Sequence, residues 1–306
     1  MKIGLIDVDG HNFPNLPLMK LSAWHKSRGD HVEWYDPMFS GHMDRVYMSK
    51  VFTFSEDYLW CIDADEIVKG GTGYYYPDGG KPLPSDIEHI YPDYSIYYDK
   101  LPKVKDTAYG FLTRGCPRGC DFCIVKDKEG RCSTKVANLS EFWKDQKNIV
   151  LLDPNMFACR EWRELSRQLI DCGAWVDFSQ GCDIRMMTDE KAEYLKQMKI
   201  KQIHFAWDRY EDKDIIIPKF KRFAKQTGWN YGKMTVYCLC NFNTTFEQDL
   251  ERIYTLRDLG YSPYVMLYEK EKLPAKHKLR QLQRYVNSRV IFRACKSFED
   301  YKKNIK

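Results

Sequence analysis

The sequence Gly115-Cys116-Pro117-Arg118-Gly119-Cys120-Asp121-Phe122-Cys123 places three cysteines at the spacing C-x3-C-x2-C. It follows the short apolar run 109–112, which predicts a loop that leaves a strand. Thiolates are the usual protein ligands of iron–sulfur clusters. Three thiolates can hold a 4Fe–4S cluster and leave one iron open, which gives a substrate or cofactor a place to coordinate. The two glycines of the stretch allow the backbone to turn tightly around such a group.

The spacing, with an aromatic residue directly before the third cysteine, resembles the cluster motif of the radical S-adenosylmethionine superfamily. The resemblance implies that Cys116, Cys120 and Cys123 ligate a 4Fe–4S cluster and that Phe122 lies beside the adenine of S-adenosylmethionine. It also implies that S-adenosylmethionine chelates the open iron and is cleaved by one electron to a 5′-deoxyadenosyl radical. The alternatives are a zinc site or three unrelated structural cysteines. Zinc usually takes four ligands from paired motifs, and no second C-x2-C pair follows here.

Length and composition limit the number of domains and indicate the cellular compartment. The 306 residues allow one large or two medium domains, and 43% hydrophobic residues are enough for a core. The net charge of +5 does not by itself imply a nucleic-acid partner. We expect a reducing, cytoplasmic location for the 11 cysteines, because the chain is large and no signal peptide opens it. No apolar run approaches the roughly 20 residues that span a bilayer, so we expect no membrane partner.

The first 75 residues alternate short apolar runs with a helical pattern, which predicts a Rossmann-like α/β domain with a parallel sheet. Ligands of such sheets bind at the carboxyl ends of the strands, where the loops 9–12 and 70–73 fall. The domain resembles the cobalamin-binding domain that precedes the barrel in one class of the superfamily. The resemblance rests on Asp9, His11, Gly70 and Gly71, with Pro14 where that family has a glycine. Two alternatives stay open: a cobalamin domain, or a cap without cobalamin.

The remainder of the chain is divided by composition and periodicity. Residues 76–107 are rich in proline and tyrosine and predict a connector. From 108 to 270, apolar runs begin near residues 109, 148, 174, 202, 233 and 262, with amphipathic helical segments at 161–172, 189–198, 216–227 and 246–259. This predicts a partial (β/α)6 barrel of the TIM type, the core that the superfamily uses. Residues 271–306 form a C-terminal extension with one helix at 279–286.

Barrel enzymes work at the carboxyl ends of their strands, so each predicted strand end nominates residues. Asp153 and Asn155 end the second strand and are predicted to contact the amino group of S-adenosylmethionine, with a capping turn as the alternative. The third strand ends at Ser179, Gln180, Asp183 and Arg185. An arginine suits a carboxylate and an aspartate suits ribose hydroxyls, which favours contact with S-adenosylmethionine over an internal salt bridge.

The later strand ends nominate groups for adenine and for the substrate. Asn243 falls where the superfamily places adenine contacts, although the usual glycine-rich form is absent. Asp208, Cys240 and Tyr268 are candidate substrate-side groups, and a cysteine or tyrosine there can donate a hydrogen atom to a radical. Buried cysteine is more often inert packing.

The sequence therefore predicts a radical S-adenosylmethionine enzyme that functionalises an unreactive carbon of an unidentified small molecule, peptide or nucleotide. With cobalamin bound, methyl transfer is the leading outcome, which would make it a transferase. An external one-electron donor such as flavodoxin or ferredoxin is implied. One alternative is an enzyme without cobalamin that modifies nucleotides or nucleic acids, suggested by the basic run 270–280 and the tyrosines. Another is a non-catalytic electron-transfer protein, which would have no need for polar strand ends.

Overall fold

A computed structural model describes residues 1–10 and 12–303. The chain separates into two compact units, and the last of the breaks between them, after residue 168, falls within a helix. The first unit comprises residues 1–154 and 158–168, and the second comprises residues 155–157 and 169–306. The predicted four-part division of the chain stays a prediction.

A four-stranded parallel sheet forms the start of the first unit. Its order is β2-β1-β3-β4, where β1 is Lys2–Asp7, β2 His31–Trp34, β3 Met43–Ser49 and β4 Ala64–Gly70. The helix α1 (Leu16–Ser27) connects the first two strands, and the side chain of Asn15 caps it by accepting a hydrogen bond from the Leu18 N–H. Its apolar face packs on Ile3, Leu5 and Tyr47, which buries one side of the sheet.

The connector packs onto this unit through buried tyrosines. The hydroxyl of Tyr94 bonds the backbone of Tyr109 and Phe142, and Tyr97 lies in the aromatic cluster with Trp34. Beyond the connector lie the parallel pair β5 (Thr107–Gly110) and β8 (Asn148–Leu151) and a small antiparallel hairpin, β6 (Thr113–Arg114) with β7 (Thr134–Lys135).

The second unit contains four parallel strands in the order β12-β11-β10-β9. They are β9 (Trp175–Cys182), β10 (Lys199–Ala206), β11 (Met234–Cys240) and β12 (Ser262–Leu267). One face of this sheet is apolar and packs on helices, as Phe205 does against Phe220 and Phe223. The alternate residues of the same strands are mainly polar or aromatic and lie on the other face.

The helices after α1 are short or amphipathic. They are α2 (Ser85–Glu88), α3 (Val125–Lys128), α4 (Trp162–Asp171), α5 (Asp189–Gln197), α6 (Lys213–Thr227), α7 (Phe246–Asp258), α8 (Lys278–Asn287), α9 (Arg289–Ala294) and α10 (Phe298–Lys303). Thr245 and Gln248 form a capping box at the start of α7, and Gly228 ends α6 in the left-handed conformation with φ 67°. No helix among the described residues is long and apolar enough to cross a bilayer.

These elements confirm the predicted α/β class with parallel sheets. Each of the six apolar runs that were predicted as barrel strands forms a strand in the structure. The six strands are β5, β8, β9, β10, β11 and β12. The predicted barrel helices correspond to α4, α5, α6 and α7. The described part of the C-terminal extension holds three short helices, and the sequence predicted one, because α9 and α10 are too short to show a helical period.

Candidate functional site

The three cysteines of the motif lie on a loop that is closed at its base by the β6–β7 hairpin. Cys116, Cys120 and Cys123 are all partly exposed. The N–H of Cys116 donates to the Gly130 carbonyl at 3.2 Å, and the N–H of Cys123 donates to the Cys120 carbonyl at 3.1 Å. Phe122 lies on the same loop and is partly buried. The structure therefore places the three predicted ligands and the predicted adenine neighbour on one loop, where none of the three cysteines is fully buried.

Two glycines fix the shape of this loop. Gly115 has φ +84°, and a Cβ there would lie 2.0 Å from the carbonyl oxygen of Cys132. Gly119 has φ +57°, and a Cβ there would lie 2.8 Å from a guanidinium nitrogen of Arg131. Gly115 needs glycine for its backbone angle and because a Cβ would meet the backbone, whereas Gly119 has a left-handed backbone angle and its close neighbour is the end of a flexible side chain.

Two carboxylates, those of Glu129 and Asp153, hold the base of the cysteine loop. Glu129 accepts from the Arg114 guanidinium at 2.8 Å and from the Gly115 N–H at 3.1 Å. The buried Asp153 accepts from the Leu112 N–H at 3.1 Å, the Thr113 N–H at 2.5 Å and the Thr113 hydroxyl at 2.7 Å. Burial raises the pKa of Asp153 to about 6, and the Thr113 and Leu112 donors oppose that rise. Both oxygens of Asp153 are thus bonded to the strand that leads into the cysteine loop.

No group of three or more His, Cys, Asp or Glu side chains within residues 1–10 and 12–303 is close enough to ligate one metal ion. A cubane cluster differs from a single ion because its thiolates bind separate irons and do not converge on one point. The donor set of three thiolates on one glycine-bearing loop fits that kind of group.

At the carboxyl edge of the N-terminal sheet, the predicted cobalamin residues differ in what surrounds them. Asp9 is buried and accepts from the N–H groups of Val51 and Phe52. Gly71 has φ +95°, and a Cβ there would lie 2.4 Å from the Lys50 carbonyl oxygen. A Cβ on Gly70 would meet nothing within 4 Å. His11 lies outside the described residues. Asp9 and Gly71 are therefore explained by the protein's own structure, since Asp9 bonds the backbone and Gly71 leaves no room for a side chain. Gly70 borders open space.

Other polar groups at this edge bond to one another. The Tyr97 hydroxyl donates to the Asp7 carboxylate and accepts from the Asn15 N–H at 2.9 Å. The Asn15 amide donates to the Ser49 hydroxyl at 2.8 Å. Burial raises the pKa of Asp7, and the Tyr97 hydrogen bond opposes that rise. The ends of β1 and β3 are thus tied to the connector.

In the second unit, the Asp183 carboxylate accepts from the Arg185 N–H at 3.0 Å and from its Nε at 2.7 Å. Arg185 also pairs with Asp212 at 2.5 Å. The internal salt bridge that the sequence left as the alternative is therefore present. Asn155 is buried, and its amide lies 3.8 Å from the Met186 sulfur. Contacts of Asp153, Asn155, Asp183 and Arg185 with S-adenosylmethionine stay predictions.

Cys240 is fully buried on the helix-facing side of β11. Its Sγ lies 4.0 Å from a guanidinium nitrogen of Arg252, which pairs with Asp249 at 2.6 Å. Burial raises the pKa of the Cys240 thiol well above its usual value. Burial also raises the pKa of Asp208 to about 6 against the opposing charge of Arg252. The position of Cys240 argues against the predicted role as a hydrogen donor to substrate, because its thiol packs between sheet and helix.

The segment after β11 has an unusual backbone. Asn241 and Asn243 have φ of 69° and 52°, in the left-handed region. The Asn241 amide donates to the Tyr268 carbonyl at 3.0 Å, and the ring of Tyr268 packs edge-on against Phe242 with centroids 5.0 Å apart. The two asparagines supply the conformation that glycine would allow, which explains how the segment forms without its expected glycines.

A pocket of about 630 Å³ opens on the polar face of the four-stranded sheet in the second unit. Ser179 and Gln180 from the predictions line it. The sequence did not predict the other residues that line it, which include Gln202, His204, Thr235, Tyr237 and Arg289. Their signal is the alternation of polar and apolar residues along β10 and β11, which places one set on one face. Arg289 follows α8 and has no such signal.

Two aromatic side chains of this face, His204 and Tyr237, are held by hydrogen bonds to backbone carbonyls. His204 Nδ1 bonds the Phe178 carbonyl at 2.9 Å, and since a carbonyl only accepts, Nδ1 carries the hydrogen. Burial lowers the pKa of His204, so its Nε2 is an acceptor at neutral pH. Burial raises the pKa of Asp177 to about 6, and its Oδ1 lies 3.5 Å from His204 Nδ1. The Tyr237 hydroxyl donates to the Ser179 carbonyl at 2.8 Å.

Known proteins are similar to this chain in structure, but no sequence match was found. No protein-family model matches the sequence, and no curated protein matches it. The fold is similar to that of TsrM from Kitasatospora setae, described as a radical S-adenosylmethionine methyltransferase with cobalamin and a [4Fe–4S] cluster bound. The TM-score is 0.58 at 12% identity, over 87% of this chain and 74% of that one. This likeness confirms the fold that the sequence predicted.

A second solved structure is less similar. SuiB from Streptococcus suis, crystallised with S-adenosylmethionine, gives a TM-score of 0.42 at 13% identity over 71% of this chain and 53% of that one. A score of that size supports no conclusion about this chain.

Proposed function

We propose that this chain is a radical S-adenosylmethionine enzyme. It cleaves S-adenosylmethionine reductively at a 4Fe–4S cluster and functionalises an unreactive carbon of its substrate. The observation that carries the proposal is the C-x3-C-x2-C loop directly after the first barrel-type strand, in a fold similar to that of TsrM. An external one-electron donor such as flavodoxin or ferredoxin supplies the electron, in a reducing compartment such as the cytoplasm.

The residues of the loop have separate tasks in this proposal. Cys116, Cys120 and Cys123 hold the cluster, which when bound supplies the electron and an open iron for S-adenosylmethionine. Gly115 and Gly119 give the loop its curvature. Asp153 is a positioning residue, because three hydrogen bonds from Leu112 and Thr113 fix the start of the loop. Phe122 remains the candidate for adenine.

The experiment is anaerobic reconstitution, followed by reduction in the presence of S-adenosylmethionine and detection of 5′-deoxyadenosine. We expect about four irons per chain, a brown chromophore and 5′-deoxyadenosine from the native protein. Cys120→Ala should lose both the chromophore and the product. Cys132→Ala is the matched control, because Cys132 lies on the same loop, is exposed and shows no ligand spacing.

The alternatives give different results in that experiment. A native protein with a full cluster that forms no 5′-deoxyadenosine would sink the proposal and favour the electron-transfer alternative. Product formation by Cys120→Ala would show that the cluster ligands are assigned wrongly.

For the reaction outcome, we propose cobalamin-dependent methyl transfer. TsrM has cobalamin bound in its structure, and the carboxyl edge of the N-terminal sheet here has features that fit a large flat cofactor. Gly70 borders open space. Apolar side chains stand exposed on the segment after β3, where Phe52 stacks on Phe54 at 5.2 Å and Trp60 is 70% exposed. In this proposal Gly70 and these side chains contact the cofactor, and Asp9 braces the loop behind them.

Cobalt analysis of protein from cobalamin-fed cells tests this outcome. We expect cobalt in proportion to the chain, and we expect Gly70→Val to lose it while keeping its melting temperature, since a Cβ at this position would meet no protein atom within 4 Å. Iron without cobalt in the native protein would make this domain a cap. The remaining candidates would then be hydrogen-abstraction reactions, including modification of a nucleotide or nucleic acid.

A further inference from the structure

We propose that the pocket on the polar face of the second unit binds a planar organic anion, with Arg289 as the residue that recognises the anionic group. This inference rests on the proposed function, because it names the class of substrate on which that enzyme acts. The pocket's volume of about 630 Å³ falls in the range of sites that enclose small molecules. All of its lining residues belong to the second unit.

One wall of the pocket is aromatic. The rings of His204 and Tyr237 are stacked, with centroids 5.0 Å apart and an angle of 10° between their planes. Tyr264 meets Tyr237 edge-on at 5.8 Å. These side chains come from three adjacent strands. A wall of flat rings favours a ligand with a planar part of its own.

The other side of the pocket is rich in hydrogen-bond donors. The Thr235 hydroxyl oxygen accepts from the Gln202 amide at 2.5 Å and from the Arg289 guanidinium at 3.2 Å. Because both of its lone pairs are used, the hydroxyl can offer only its hydrogen to a ligand. The guanidinium has further N–H groups to offer. Three donor groups thus converge around Thr235, and such a set selects an acceptor such as a carboxylate or a phosphate.

The charges of the lining have one sign. Arg289 is exposed at the edge of the pocket, and no carboxylate within the described ranges forms an ion pair with it. No aspartate or glutamate lines the pocket among those residues. An arginine without an acidic partner beside other donors is the arrangement expected of an anion site.

Arg289 reaches this place because the end of α8 is fixed to the edge strand β12. The Asn287 side chain accepts from the Val265 N–H at 2.8 Å and donates to the Val265 carbonyl at 3.0 Å. The Gln283 amide donates to the same carbonyl at 3.1 Å. These bonds hold the residues after α8 against the sheet. The C-terminal segment, which the sequence left without a role, thereby contributes the cation of the pocket.

The test compares three fluorescent probes of one shape on the reconstituted full chain: 2-naphthoate, 2-naphthyl phosphate and 2-naphthamide. We expect one or both anions to bind and the neutral amide to bind at least about tenfold more weakly, as hydrogen bonds to a charged group predict. The better of the two anions identifies the group as a carboxylate or a phosphate. Arg289→Gln should reduce the preference for the anion to about that of the amide. Thr235→Val should reduce it in part.

Arg284→Gln is the matched control, since this exposed arginine lies on α8 and does not line the pocket. Equal affinity for the amide and both anions would overturn the proposal, and so would an equal loss in Arg284→Gln. Displacement of the probes by S-adenosylmethionine would also overturn it, because the pocket would then belong to the cofactor. Probe binding requires no reductant. If the probes fail to bind, only the proposal about the pocket is overturned, because 5′-deoxyadenosine formation is measured separately. If no 5′-deoxyadenosine forms, only the proposed function is overturned, because probe binding is measured separately.

Discussion

The two units treat the polar side chains of their strands in opposite ways. In the first unit, the acidic groups at the strand ends are bonded to the chain itself: Asp7 to Tyr97, Asp9 to the backbone after β3, and Asp153 to the strand before the cysteine loop. In the second unit, the polar face of the sheet lines an open pocket, and the Oδ1 atom of Asp177 accepts no hydrogen bond within the described part of the chain.

The difference separates carboxylates whose oxygens are bonded to neighbouring donors from a carboxylate with a buried oxygen that has no such bond and does not line the pocket. Burial raises the pKa of both Asp153 and Asp177 to about 6, yet only the first carboxylate is surrounded by donors. A raised pKa alone therefore does not identify a ligand-binding group. The partners of the carboxylate distinguish the two cases.

The largest effect is expected for Asp153→Ala. The change leaves the N–H groups of Leu112 and Thr113 buried without an acceptor, which should cost about 3 kcal/mol of unfolding free energy. Urea denaturation followed by circular dichroism measures it. Asp145→Ala, at an exposed position, is the control and should stay within about 0.5 kcal/mol of the native protein. A loss as small as the control's would mean that Asp153 is not structural.

A smaller loss, about 2 kcal/mol, is expected for Tyr97→Phe. The change removes the donor to the buried Asp7 carboxylate and the acceptor of the Asn15 N–H. Without the Tyr97 hydrogen bond the pKa of Asp7 should rise further, so the loss should grow as the pH rises above the already raised pKa of Asp7 in the native protein. Denaturation at several pH values measures this, with Tyr98→Phe at an exposed neighbouring position as the control. A loss that did not depend on pH would separate Tyr97 from Asp7.

Asp177→Asn is expected to increase the free energy of unfolding, and this is the smallest of the three effects. The folded-state pKa is about 6 against 3.8 for the free group, so the carboxylate's cost appears as the pH rises through that window. After allowance for its partial exposure, the amide should add about 1 kcal/mol at pH 8 and nothing below pH 4. Thermal unfolding at both values measures it. Asp145→Asn, at an exposed position outside any helix, should show no gain. A gain of equal size at both pH values would contradict the assignment.

The sequence predicted what local pattern determines. The run Met234 to Cys240 and the helix that starts after Thr245 are visible because hydrophobic period and capping residues are local signals. The cysteine loop is also local, since its spacing and its glycines lie within nine residues. These features needed no knowledge of the rest of the chain.

The parts that could not be predicted depend on distant residues. Asp153 meets Thr113 across 40 positions, and Arg289 meets Thr235 across 54. The salt bridge of Asp183 and Arg185 could be proposed but not chosen from sequence, because a short spacing permits both an internal pair and two ligand contacts. Cys240 was proposed for chemistry, although strand alternation places it beside the buried Cys238 and opposite to Tyr237.

The left-handed asparagines after β11 bear on how relatives of this chain can be found. At these two positions the fold requires a left-handed dihedral angle, which Asn241 and Asn243 supply in place of glycine. A search that accepts glycine or asparagine at these two positions would recover chains that a glycine-only search discards. Glycine at position 241 could keep the same dihedral angle but would lose the hydrogen bond from the Asn241 amide to the Tyr268 carbonyl.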